Sequence, residues 1–132
     1  MAHAEYDPRY LEGIRCFDNR EFFEAHEVWE DLWRDEQGPS RRYYQGLIQV
    51  AVCLHHFGNG NTRGARKLYH SSRGYLEAYC PRYLGLDLDR LLTDFEQCCA
   101  ELVRSPDDFP QGTLSTDLIP RIPFDPLWGE CP

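Results

Sequence analysis

The run from Glu21 to Trp33 constrains the fold more than any other part of the chain. At about 100° per residue, Phe22, Ala25, Val28, Trp29, Leu32 and Trp33 share an arc of roughly 140°, a stripe broad enough to face a core. A helix with such a stripe needs partners of the same kind, and the rest of the chain offers them. No run shows the sustained apolar/polar alternation of a strand. The expected fold is therefore all-α: a single-domain bundle of about five helices followed by a Pro-rich extended C-terminal tail.

Punctuation sets the expected boundaries. A short first helix spans about 8–17. The second is expected over 19–36, with Asp18 as cap, Glu21 as its capping-box partner, and Phe17 and Phe22 in the staple positions. Gly38-Pro39-Ser40 breaks the chain and restarts it, so a third helix runs from there to about Phe57. After the turn Gly58 to Thr62, Ala65, Leu68, Tyr69, Ser72, Leu76 and Tyr79 mark a fourth helix that stops near Pro81. Asp87 can cap a fifth, striped by Leu88, Leu91, Leu92, Phe95, Cys98, Cys99, Leu102 and Val103. From Ser105 onward prolines alternate with Leu118, Ile119, Ile122, Phe124, Leu127 and Trp128, giving an extended segment too apolar to float free. The expected organisation is a helical bundle over 1–104 and an extension over 105–132, packed on the bundle or on a partner.

Composition narrows the function classes. The 132 residues fit one domain, and the 42% hydrophobic content fills a core. A net charge of −8 repels phosphate backbones and anionic membranes, so neither nucleic acid nor membrane is an expected partner. No stretch reaches the roughly 18 apolar residues of a membrane helix, and the start has neither the basic end nor the apolar core of a signal peptide, so the expected location is the cytoplasm. The six cysteines lack C-x-x-C spacing and read as small core residues.

Two polar constellations stand out. On helix two, His26 lies at the edge of the stripe with Glu30 one turn on, while Glu24, Glu27 and Asp31 occupy the far side. A carboxylate and imidazole set can transfer protons or hold a divalent ion; the same residues also suit a solvated acidic face. His26-Glu27-Val28-Trp29-Glu30 departs from the zinc-protease helix H-E-x-x-H, since Glu30 stands at the second histidine, and Phe23 excludes the Glu-x-x-His of di-iron bundles. Helix three is apolar almost all round, yet Gln45, Gln49 and His56 fall within about 40° of one another. Polar groups on a buried rod need partners. Helix two can supply them, either in a ligand pocket or in a structural hydrogen-bond network. His55 is read as a core histidine. The turn before helix four, near Arg63, Arg66 and Lys67, is a weaker anion candidate.

The segments Glu21 to Arg34, Arg42 to Val52, His56 and Gly60 to Ala65 together resemble DUF309, a bacterial, archaeal and plastid-lineage family of unknown function, over roughly residues 8–103. The resemblance implies an all-α bundle and brings no established activity, cofactor or catalytic residue. Glu24, His26, Glu27, Trp29, Trp33, Gln45, Gln49, His56 and Asn61 match positions of the family pattern. The leading expectation is a polar pocket between helices two and three, formed by Glu24, His26, Glu27, Glu30, Gln45, Gln49, His56 and Asn61, that binds a small ligand or a divalent ion. Two alternatives stay open: metal-assisted or acid-base hydrolysis by Glu27 or Glu30 with His26 and His56, and an interaction scaffold in which Trp29, Trp33 and the tail serve a homo-oligomer or partner surface.

Overall fold

The structure is a computed structural model, described here for residues 6–128. It is predominantly helical: α1 Pro8–Asp18, α2 Phe22–Asp35, α3 Arg41–Gly58, α4 Thr62–Leu76, α5 Leu88–Cys98 and α6 Ala100–Arg104. A two-stranded antiparallel hairpin, β1 Arg82–Tyr83 and β2 Leu86–Asp87, joins α4 to α5. Within the described residues no helix is long and apolar enough to cross a membrane.

The central rod is α3, packed between α2 and α4, with α1 lying against α2. Its burial follows from its sequence: Tyr43, Leu47, Val50, Ala51, Cys53 and Leu54 leave almost no surface exposed, because they occupy faces turned to both neighbours. From α2, Trp29 enters the core completely and its indole donates to the Tyr10 carbonyl of α1 at 3.2 Å. That position removes Trp29 from any surface role and leaves Trp33 as the tryptophan of α2 within reach of solvent.

Helix starts behave as expected where the capping partner is local. Asn61 accepts from the Gly64 amide and Asp87 from the Arg90 amide. Asp18 does not cap α2. It ends α1 instead, and its Oδ1 accepts from the Ile122 amide of the tail at 2.8 Å, which leaves Glu21 at the α2 cap with no side-chain bond. The staple contact survives, since the Phe17 and Phe22 rings meet edge-on at 5.1 Å. Ser40 likewise spends its hydroxyl on Tyr83 Oη at 2.6 Å rather than on its own helix.

Three further departures lie between Leu76 and Cys99. Helix four ends at Leu76, followed by a 3₁₀ turn over Glu77–Tyr79, and Tyr79 Oη reaches back to the Pro39 carbonyl. The expected fifth helix is broken at Cys99 into α5 and α6. Strands of two residues carry too little pattern to be read, yet β2 is where the tail docks. Asp87 donates to the Pro123 carbonyl, Asp125 donates to the Gly85 carbonyl, Leu86 bridges Phe124, and Ile122 is buried.

The cysteines within the described residues are free thiols. Cys16, Cys53, Cys98 and Cys99 are buried and Cys80 is half-buried; Cys131 lies outside the described residues. Contact with Cys99, then burial, pushes the Cys98 thiol up, and contact with Cys53 does the same for Cys99. Groups held protonated in this way are core residues rather than nucleophiles.

Candidate functional site between helices α2 and α3

The face of α3 turned toward α2 starts at Arg41, whose guanidinium lies 3.9 Å from the centroid of the Trp33 ring. One turn further on, Glu30 and Trp33 of α2 and Gln45, Ile48 and Gln49 of α3 line a hollow of about 120 Å³. Their chemistry is uneven. Gln49 is engaged, its side-chain oxygen accepting from the Ser71 hydroxyl of α4. Gln45 has no hydrogen bond among the described residues. Trp33 Nε1 and Arg41 Nε are buried without a partner there. Leaving a buried donor unpaired costs about 1–3 kcal/mol, so these two nitrogens are conspicuous when the other buried side-chain nitrogens and oxygens among the described residues are satisfied.

Glu30 supplies the negative charge beside the hollow. Its Oε1 accepts from Arg34 at 2.6 Å and its Oε2 lies 3.3 Å from His26 Nε2. His26 Nδ1 is 3.1 Å from the Phe23 carbonyl; a carbonyl can only accept, so this nitrogen carries a proton. The Phe23 ring lies between two imidazoles, 5.2 Å from His26 and 5.4 Å from His55. His55 is thus at the α2–α3 seam rather than in the core, with Asn59 Nδ2 3.2 Å from its Nε2. The arc it shares with Tyr44 and Ile48 runs past the start of α2, where Phe23 is exposed.

The eight residues expected to form one pocket separate into groups. Glu30, Gln45 and Gln49 meet, with His26 beside Glu30. Glu24 and Glu27 are exposed on the outer face of α2. Asn61 is committed to the α4 cap. His56 is half-buried next to His55, at 6.1 Å between ring centroids, and forms no hydrogen bond or ion pair with His26, Glu27 or Glu30. Nor does any group of three or more His, Cys, Asp and Glu side chains within the described residues come together as metal ligands would. The residues that sequence reasoning missed are Arg41, whose pairing with Trp33 crosses between helices, and Ser71, which no local pattern connects to Gln49.

Burial, and then the charge of His55, pulls the His56 imidazole below its ordinary value. The unfolded chain then binds this proton more readily than the folded one, so the His56 contribution is present above about pH 6.5 and is lost as pH falls through the lower folded value. His56→Gln is expected to flatten the fall in melting temperature between pH 7 and 5. An unchanged slope in a pH series of thermal melts would contradict that assignment.

This hollow lies within the part of the chain that similarity also singles out. Residues 10–68 match the family model of DUF309, a domain of unknown function. The match takes in most of α1, all of α2 and α3 and the first half of α4, a shorter span than the 8–103 of the sequence resemblance. The chain is 42% identical over 91 residues to YpuF, an uncharacterized protein of Bacillus subtilis (strain 168), covering 66% of this chain and 52% of YpuF. It is 27% identical over 90 residues to an uncharacterized protein of Aquifex aeolicus (strain VF5), covering 65% of this chain and 26% of that protein. The chain therefore spans about half of YpuF and about a quarter of the Aquifex protein.

Proposed function

We propose that this DUF309 segment binds a small neutral ligand through a carboxamide- or urea-type head group seated between α2 and α3. The observation that carries the reading is a hollow lined by Trp33 and by the unpaired Gln45 amide, together with the buried, unpaired indole N–H of Trp33. A head group of this kind has a carbonyl to accept from Trp33 Nε1 and an N–H₂ to donate to Gln45 or Glu30. A hollow of about 120 Å³ has room for such a head group. Glu30 is already paired with Arg34, so a neutral ligand fits better than a second cation. A divalent ion is a poorer fit, because Glu30 is the one carboxylate in the hollow lining. Glu27 is exposed and His56 makes no hydrogen bond or ion pair with Glu30 among the described residues, so no hydrolytic set is assigned.

The test is a two-dimensional ¹⁵N–¹H spectrum, in which each tryptophan indole gives one signal and Trp33→Phe identifies that of Trp33. Acetamide and urea are expected to move the Trp33 signal selectively while Trp128 stays put, and Gln45→Leu is expected to weaken the response about tenfold, the equivalent of about 1.4 kcal/mol. Equal movement of the Trp33 and Trp128 signals would refute the proposal.

A further inference from the structure

The net charge of the chain conceals a sharp asymmetry. Between Glu36 and Glu77 there is no acidic residue, while Arg41, Arg42, Arg63, Arg66, Lys67 and Arg73 give that segment a net charge of +6 and leave −14 on the remainder. Arginines outside it are largely neutralised: Arg9, Arg15, Arg34, Arg90 and Arg121 all lie beside carboxylates. Arg63, Arg66 and Lys67 have no ion pair among the described residues. Like charges gathered without neutralisation raise the energy of the folded state, so packing alone does not account for them.

These three cations surround one hollow. Together with Asn61, Gly64, His70 and Phe109 they line a volume of about 460 Å³, the size of a small-molecule site. Arg66 is held in place by donating to the Ser105 carbonyl at 3.0 Å. Arg63 lies 5.3 Å from the centroid of the Phe109 ring, which is 66% exposed. Asp107 and Asp108, next to Phe109 in sequence, make no ion pair with the three cations. The α4 cap is already closed by Asn61 on the Gly64 amide, so the attraction comes from side chains.

We propose that this hollow binds a small phosphate ester with an aromatic group. Arg63, Arg66 and Lys67 take the phosphate, with the guanidinium fork suited to bidentate contact. Phe109 offers its open face to the ring of the ester. A long polyanion fits poorly, because the −14 on the rest of the molecule repels every phosphate outside the hollow. The site is separate from the α2–α3 hollow and shares no residue with it.

Calorimetric titration of the whole chain at low ionic strength tests this, with phenyl phosphate, inorganic phosphate and phenol as probes. Phenyl phosphate is expected to bind at least tenfold more tightly than inorganic phosphate, and phenol not at all. Lys67→Gln and Arg63→Gln should each weaken both phosphates about tenfold, whereas Phe109→Ala should bring phenyl phosphate down to the level of inorganic phosphate. Arg42→Gln makes the same charge change elsewhere on the positive segment and should alter binding less than twofold. All four side chains are exposed, so matching melting temperatures are expected to show the variants folded. No binding of phenyl phosphate, no preference for it over inorganic phosphate, or an Arg42→Gln loss equal to that of Lys67→Gln would each overturn the proposal.

Discussion

Replacing Gly13 by alanine is expected to lower the stability of this protein by about 3 kcal/mol, although the same change in an exposed helix gains about 1 kcal/mol. Gly13 lies in the middle of α1, where alanine is the better helix former. The opposing effect is steric. A Cβ at this position would stand 2.0 Å from Nε1 of Trp29 and 2.3 Å from its Cδ1. The indole cannot retreat, since it is completely buried and tied to the Tyr10 carbonyl. Gly74→Ala supplies the contrast: Gly74 is exposed in α4 with nothing within 4 Å of its Cβ position, so that variant should be stabilised by up to about 1 kcal/mol. Trp29→Ala removes the indole that Gly13 faces. In its background Gly13→Ala is expected to cost less than half as much, and a double-mutant cycle in chemical denaturation reads the difference. Additive effects would mean that the contact between Gly13 and Trp29 is not what fixes glycine there.

The same residues show what the sequence could and could not reveal. The stripe that contains Trp29 was legible because every turn of α2 repeats it, and such repetition survives small errors in phase. The starts of α4 and α5 were legible because Asn61 and Asp87 reach amides three residues away. Asp18 has the local signature of a cap, but its carboxylate is claimed by Ile122, over a hundred positions later, and no local rule weighs that competitor. The hairpin has two residues per strand, and the break at Cys99 separates two helices that share one continuous apolar stripe.

Within the candidate site, Gln45 and Gln49 of the polar line on α3 both border the hollow with Glu30. Glu24 and Glu27 face solvent, as their place on the far side of the α2 wheel implies, and assigning them to a pocket set that angle aside. The wheel gives angles within one helix but not the rotation of one helix against another, so it did not reveal that His55 rather than His56 meets the ring of Phe23. The unpaired nitrogens of Trp33 and Arg41 belong to neither helix alone. They arise from how closely α2 and α3 approach, so the most informative feature of the site was invisible to any reading of one helix at a time.

The second large effect is expected at Gly85, where alanine should detach the C-terminal segment from the hairpin and lower stability by about 3 kcal/mol. Two terms combine. Gly85 has a φ of +77°, a left-handed conformation that costs a residue with a Cβ about 1–2 kcal/mol. In addition, its Cβ would lie 2.7 Å from Cε1 of Phe124 and 2.9 Å from the Asp125 carbonyl. The second contact is with backbone, so rotating a side chain cannot relieve it. The cheapest relief is for the tail to move away, breaking the Asp125-to-Gly85 and Asp87-to-Pro123 hydrogen bonds and exposing Ile122. Amide exchange at Asp87, Ile122 and Asp125 should therefore accelerate far more than exchange in α3. Trypsin should cut after Arg121, whose side chain is already 81% exposed but whose backbone is held beside Asp18. Uniform acceleration across α3 and the tail would mean instead that the segment and the bundle unfold as one unit, and that the tail is part of the core.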